Sequence, residues 1–442
     1  MKISQLKNKK IIILGLGVEG LDTYSFLRKN FPAKKLILAD KRNLSSFDSK
    51  TQNTFKKDKY IELILGEDYL SKIKDAEVVI KTSGIVLSSI KKYLNKTAIV
   101  TSQIELFFDN CNAKIIGITG TKGKSTTSTL TYSLLKAAKI KTYLLGNIGT
   151  APLSFLSKIN KSDVIILELS AHQLQNLQKS PHIAVFLNIY PEHLDYYKNF
   201  KEYFNAKANI ALHQKKNDYF IFNSNIKEIK NLANKVVSKE IPINPDKFQD
   251  IIKQSNIKNI THQDNISAIL EIAKILKISD KIIIKTLNNF KAPDHRLEYI
   301  GEFNHIKFYD DSIATIPEAV IFALDTLGEN VETLIAGGLN RGIKFNKIAK
   351  RIANSNIKNL ILFPDSGIEI KKEIEKLKKN SNILFYETES MEDAVSFAFQ
   401  KTSKDKICLL SPASPSFNLF KDYQDRGNTY QKFIKSHVSP KL

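Results

Sequence analysis

Short apolar runs recur along this chain, each bounded by polar stretches rich in lysine and asparagine. Ile11–Leu14, Leu36–Ala39, Ile61–Leu65, Val78–Lys81 and Ala98–Val100 show little alternation of apolar and polar positions. That is the pattern of strands covered on both faces, as in a parallel sheet. Helical spacing fills intervening segments such as Leu21–Lys29. The scheme restarts with Ile115–Ile118, a helix over Ser128–Ala138, strands over Val164–Glu168 and Val185–Ile189, and helices over Asn265–Leu276 and Ile282–Phe290. It restarts again with strands ending at Phe308–Ser312 and covering Glu332–Gly338, Asn359–Phe363 and Lys406–Leu410, with a helix near Met391–Lys401. Three α/β units are expected, at 1–112, 113–292 and 293–442, the last opening on a Pro-led break (Pro293–Glu298) suited to a linker.

A length of 442 residues agrees with about three domains. No apolar run reaches the roughly 18 residues of a membrane span, and the first ten residues lead into a strand rather than a signal peptide. Two cysteines, Cys111 and Cys408, cannot build a disulfide framework and fit a reducing cytoplasm. The net charge of +22 raises nucleic-acid binding, but the lysines are dispersed over polar faces, as a general drift in composition toward lysine would leave them. The drift makes the exceptions informative. Of six arginines, four (Arg42, Arg296, Arg341, Arg426) lie in motif-like stretches, where a planar bidentate donor to phosphate or carboxylate is called for. Eleven of the 17 glycines sit in four short loops: Gly15–Gly20, Gly117–Gly123, Gly146–Gly149 and Gly337–Gly342.

The second glycine loop carries the most chemistry. Gly117-Ile-Thr-Gly120-Thr-Lys-Gly123-Lys-Ser125 follows an apolar strand and precedes a helix. In such a loop backbone N–H groups face phosphates, Lys124 reaches the β/γ end, Ser125 can hold Mg²⁺, and the helix N-terminus adds positive charge. The spacing departs from the strict GxxxxGK[ST] pattern, because Ile118 occupies the first glycine's place. Nucleotide binding is still the stronger reading than a plain turn. Glu168 ends a strand where open α/β sheets bind ligands, and His193 follows another strand directly, so both could approach that metal. Lys207 lies on a helical stretch and by itself reads as a solvated lysine. Gly15-Leu-Gly17-Val-Glu-Gly20 with Asp40 fits an NAD(P) turn, a turn for another nucleotide diphosphate, or tight helix–strand packing.

Taken together, these stretches resemble the Mur ligase family, over nearly the whole length from Gly15 to Arg426. The resemblance rests on Gly15–Gly20, Gly117–Thr127, Gly146–Gly149, Leu167–Leu174 with Glu168 and Gln173, Asn188–Asp195, Ala206-Lys207, His295–Glu298, Asp311-Ser312, Gly337-Gly338 and Leu410–Phe417. It is strongest to the branch that adds glutamate to UDP-N-acetylmuramoyl-L-alanine. It implies a cytoplasmic, monomeric ATP- and Mg²⁺-dependent ligase of three domains, binding UDP-substrate, ATP and glutamate in turn, with no nucleic-acid partner and no membrane insertion. Gly120, Thr121, Gly123, Lys124, Ser125, Thr126, Asn265, Arg296 and Asp311 would bind ATP. Ser125, Glu168, His193 and Lys207, the last as a carbamate, would hold the metal. Gly17, Val18, Asp40 and Arg42 would hold UDP, settling the first unit against NAD, while Asn147 and His193 position the incoming carboxylate. Lys124, His193, Lys207 and Asn147 would form the catalytic set.

Thr315, Arg341, Ser416, Phe417 and Tyr423 would line the amino-acid pocket. Three departures from the family pattern stand out: Lys122 replaces a usual Asn, Ile313 a usual Lys, and Arg341 a glutamate-binding Lys. The last two bear on whether D- or L-glutamate is used, with retained Thr315 and Ser416 favouring D-glutamate. Competing readings are sister ligases for alanine, a diamino acid, a dipeptide or folate. More distant are a lysine-rich nucleic-acid-dependent ATPase and a dehydrogenase, which would leave the phosphate loop unexplained.

Overall fold

The computed structural model describes residues 1–148, 150–193, 196–255, 262–290, 294–377 and 382–438. Seventeen strands among them form three sheets. The first contains β1 (Ile11–Leu14), β2 (Leu36–Asp40), β3 (Ile61–Leu65), β4 (Val78–Lys81) and β5 (Ile99–Ser102), in the order β3-β2-β1-β4-β5 and wholly parallel. The second contains β6 (Lys114–Thr119), β7 (Thr142–Gly146), β8 (Val164–Glu168), β9 (Ile183–Phe186), β10 (Tyr219–Phe222) and β11 (Lys239–Pro242). Its order is β11-β10-β9-β6-β8-β7, again parallel. The third contains β12 (Glu298–Phe303), β13 (Ile306–Asp310), β14 (Val331–Gly338), β15 (Asn359–Asp365), β16 (Leu384–Glu387) and β17 (Ile407–Leu410). Its order is β12-β13-β17-β14-β15-β16, with only β12 antiparallel to its neighbour. The α/β class and the threefold recurrence of the pattern are therefore present in the fold.

The cause is the one the sequence pattern indicates. Ile11–Leu14, Val78–Lys81, Val164–Glu168 and Ile183–Phe186 are buried at every position. Helices covering both faces of a parallel sheet leave no solvent side for polar residues. Two boundaries differ from expectation. The helix after the second glycine loop begins at Lys124 rather than Ser128, which places Ser125–Thr127 in its first turn. β9 ends at Phe186 rather than Ile189, because Leu187 and Ile189, though buried, continue as a loop.

The described chain forms two compact units. One comprises Met1–Ile189, Lys201–Gln249 and Asp264–Thr286, and so holds the first two sheets; the other comprises Tyr190–Phe200, Asp250–Gln263 and Leu287–Leu442, with the third sheet. Every parallel strand delivers its carboxyl end to one edge of its sheet, and the glycine loops follow β1, β6, β7 and β14 there. Gly149, Leu194–Asp195 and Pro293 lie outside the described residues. No helix among the described residues is long and apolar enough to cross a membrane.

The first glycine turn tolerates no side chain at its third glycine. A Cβ on Gly20 would lie 1.9 Å from the carbonyl oxygen of Gly15, and neither backbone segment can yield cheaply. Gly20→Ala is expected to lower the unfolding free energy by about 1–3 kcal/mol, as overpacking does, measured by urea denaturation against the wild type.

Candidate active site

In the first unit, β6 feeds a loop whose geometry depends on Gly123. That residue caps the helix Lys124–Ala137 with φ 85°, and a Cβ there would press within 2.6 Å of the Asn265 side chain. Only glycine adopts that backbone without strain while admitting Asn265 so closely. The loop is also braced from its far side. Asn188 accepts from the Lys122 N–H through Oδ1 (2.9 Å), donates from Nδ2 to the Lys122 carbonyl (2.9 Å), and its own carbonyl accepts from the Thr121 N–H (3.0 Å). The Tyr203 hydroxyl lies 3.2 Å from that of Thr121.

Two ammonium groups close on the same loop carbonyl. Lys124 Nζ donates to the carbonyls of Gly120 (3.0 Å) and Thr121 (2.9 Å), and Lys207 Nζ donates to Gly120 (2.9 Å) from a position 1% exposed. The reading of Lys207 as a solvated lysine fails here. Its helix, Phe200–Leu212, turns it inward beside Tyr203, with Nζ 5.0 Å from the ring centroid. Glu168, at the end of β8, is equally buried. Its Oε1 accepts from Asn147 Nδ2 at 2.8 Å, while Oε2 has no partner among the described residues. Thr126 in the first helical turn is buried as well.

At the edge of the first sheet, Asp40 is turned back onto the glycine turn. It accepts from the Leu16 N–H (2.6 Å), the Arg42 N–H (2.9 Å) and the Arg42 guanidinium (3.0 Å twice). Burial would raise its pKa, but these hydrogen bonds outweigh it and hold the carboxyl below its usual range. The Arg42 guanidinium lies 4.4 Å over the Phe47 ring. Gly17 caps the helix Val18–Asn30 with no side chain of its own, and Val18 stands 79% exposed at its start.

In the second unit, His193 has a left-handed backbone (φ 57°), with Nε2 3.8 Å from Glu192. The third sheet gathers the remaining candidates. His295 and Leu297, which flank Arg296, both hold positive φ (61° and 43°), a cost that persists only where surroundings enforce it. His295 Nδ1 is 2.8 Å from Asp310, while Asp311 accepts from Ser411 Oγ (2.8 Å) and the Leu297 N–H (3.2 Å). Arg426 is fully buried and ties two loops together: Nε and Nη2 donate to the Ser312 hydroxyl and carbonyl (3.0 and 2.8 Å), and Nη1 to the Ser414 carbonyl (3.1 Å). The Ser312 hydroxyl donates onward to the Tyr423 carbonyl (2.8 Å). Arg341 lies 5.5 Å over the Phe417 ring, Ser416 is buried in the loop after β17, and Thr315 is half-buried.

Asn188, Tyr203 and Arg426 are supports that the sequence reading did not assign. Asn188 opens the Asn188–Asp195 stretch, but nothing in a chain so rich in asparagine marks it as a brace.

Residues 118–304 match the Mur ligase middle domain, and residues 295–414 the glutamate ligase domain of the same family. The chain belongs to the Mur ligase family, ATP-dependent ligases of peptidoglycan synthesis. It is 32% identical to the UDP-N-acetylmuramoylalanine–D-glutamate ligase of Clostridium acetobutylicum, over 98% of this chain and 97% of that one. It is 33% identical to the enzyme of the same name from Acetivibrio thermocellus, with the same coverage. A MurF ligase from Thermotoga maritima, solved with ADP, shares the fold at TM-score 0.59 and 15% identity, over 98% of this chain and 97% of that one.

Asp311 yields a prediction independent of substrate. Burial raises its carboxyl pKa to about 7, and the Ser411 hydrogen bond and the Arg296 charge only partly oppose this. An unfolded chain releases that proton near pH ~4. The folded state therefore holds more protons between the two values, and stability falls as pH rises through the window. Asp311→Asn is expected to flatten this fall, read as the slope of unfolding free energy against pH.

Proposed function

We propose that this chain joins D-glutamate to UDP-N-acetylmuramoyl-L-alanine with ATP, through an acyl phosphate, in the cytoplasm and as a monomer. What carries the reading is likeness to two D-glutamate ligases over 98% of the chain. In this reading residues 1–112 hold the UDP-substrate through Gly17, Val18, Asp40 and Arg42. Residues 113–292 bind ATP through Gly120–Thr126, with Asn265 on the adenine. Residues 293–442 bind glutamate through Thr315, Arg341, Ser416, Phe417 and Tyr423, and supply Arg296 and Asp311 to the nucleotide's phosphate and ribose.

A divalent cation suits the donor set. Glu168 keeps a buried carboxylate oxygen without a partner among the described residues, the oxygen chemistry that Mg²⁺ takes. Ser125, Glu168, His193 and carbamylated Lys207 are the residues that would hold Mg²⁺, which when bound neutralises phosphate charge. The chain's own groups do the rest. Lys124 leaves the loop carbonyls for the β/γ-phosphates, and the loop N–H groups and helix N-terminus hold the remaining phosphate charge. Asn147 and His193 align the alanyl carboxylate, whose oxygen attacks the γ-phosphorus as ADP departs. The glutamate amine then adds to the acyl carbon and loses a proton, and the tetrahedral intermediate expels phosphate. Both steps gather negative charge, so positioning and cationic stabilisation supply most of the catalysis.

A second reading, the same reaction with L-glutamate, draws on Ile313 and Arg341. Phosphate release with ATP, Mg²⁺ and UDP-N-acetylmuramoyl-L-alanine decides between them. Release with D-glutamate and none with L-glutamate is expected; the reverse would transfer the assignment to L-glutamate, and silence with both would return it to the sister ligases.

A further inference from the structure

A buried lysine at the edge of the first sheet has no place in the functions assigned so far. Lys81 ends β4, in register with Leu14 of β1 and Ser102 of β5. The strand order reverses between β1 and β4, so Lys81 stands at the carboxyl edge of the topological switch point, where open α/β sheets take ligands. It directly precedes Thr82, whose hydroxyl floors the first glycine turn: a Cβ on Gly15 would lie 2.2 Å from it.

Lys81 is 4% exposed, yet its ammonium is poorly satisfied. Its hydrogen bond is a long one, 3.5 Å, to the carbonyl of Thr82, and among the described residues no carboxylate forms an ion pair with it. Glu19 is the acid whose charge acts on it, but both oxygens of Glu19 are engaged, by the Ser83 N–H (2.9 Å) and Gln173 Nε2 (2.7 Å). Burial accordingly pushes the lysine below its usual pKa, and Glu19 opposes this only in part. A buried ammonium left in this state is costly, and one lining a cleft is a candidate binding group.

The cavity that Lys81 lines supplies a second observation. Gln103, Ser83, His172 and Gln173 share its wall, and Gln103, 2% exposed, keeps Oε1 without a partner among the described residues. The cavity thus offers a cationic donor beside a bare amide acceptor. A phosphate carrying a hydroxyl-bearing sugar answers both, accepting from the ammonium and donating to the amide oxygen. An anion with no O–H or N–H, such as sulfate, would leave Gln103 Oε1 unsatisfied.

We propose that Lys81 is a further substrate-binding residue, taking a phosphate oxygen of the nucleotide-sugar diphosphate while Gln103 Oε1 accepts from a hydroxyl or N–H of the same molecule. This rests on the UDP-substrate reading of the first domain. The test is calorimetric binding of UDP-N-acetylmuramoyl-L-alanine, and separately of ATP, to full-length wild type and Lys81→Met, with Lys81→Gln as the alternative should the methionine variant fail to fold. The expected result is at least tenfold weaker UDP-substrate binding, ATP affinity within twofold of wild type, and no fall in Tm. UDP-substrate affinity within twofold of wild type would overturn the role of Lys81 alone. Equal weakening of both ligands would make Lys81 a structural residue and also overturn it. Failure of the wild type to bind the UDP-substrate would overturn the domain assignment, and the role of Lys81 with it.

Discussion

Two lysine ammonium groups on one carbonyl oxygen is the constraint around which the first unit is arranged. Lys124 and Lys207 both donate to Gly120, at 3.0 and 2.9 Å. Like charges brought this close in a buried site repel strongly, because the surroundings screen them poorly. Loop carbonyls take up part of that charge, and under the proposed function anionic phosphate entering the loop would take up more. A carbamate on Lys207, which the family resemblance implies, would reverse one of the two charges and turn repulsion into attraction. The glycine at 123, the asparagine brace at 188 and the packing of Asn265 all keep that carbonyl where both ammonium groups reach it.

The same principle of placement repeats in each sheet. Parallel strands end together, so residues far apart in sequence arrive at one edge: Leu16 with Asp40, Asn147 with Glu168, Ser312 with Ser414. The candidate side chains then stand on loops rooted in the strand ends. Where a loop has to hold an unfavourable backbone, as at His295 and Leu297, neighbouring buried polar groups fix it. Asp310 holds the His295 ring, and Asp311 takes the Leu297 N–H.

How much of this was legible in the sequence depended on burial. Central strands such as β1, β4, β8 and β9 read as apolar runs because both faces are covered. The edge strands β11 and β16 do not, since Lys239–Pro242 and Leu384–Glu387 are largely exposed and carry the polar residues that exposure permits. β10 (Tyr219–Phe222), though largely buried, also goes unread, because four apolar residues are too short a run to tell strand from helix. Local spacing reveals the Gly117–Ser125 loop between strand and helix and the glycine turn with Asp40, since each is built from residues near in sequence. It could not show that Asp40 folds back onto Leu16 and Arg42. Nor could it show that Arg426 reaches Ser312 across 114 positions, because only strand order brings them together. Lys207 is the instructive case. A lysine on a helix is ordinarily solvated, and only the direction of its helix against the loop makes it a buried group.

The central claim is that Lys124 is held in waiting for the distal phosphates, and calorimetric binding of ATP and AMP to wild type and Lys124→Met tests it most directly. The account predicts that the substitution weakens ATP by at least tenfold and leaves AMP nearly unchanged. Equal loss for both nucleotides would contradict it, placing Lys124 in the structure of the loop rather than in the recognition of its ligand.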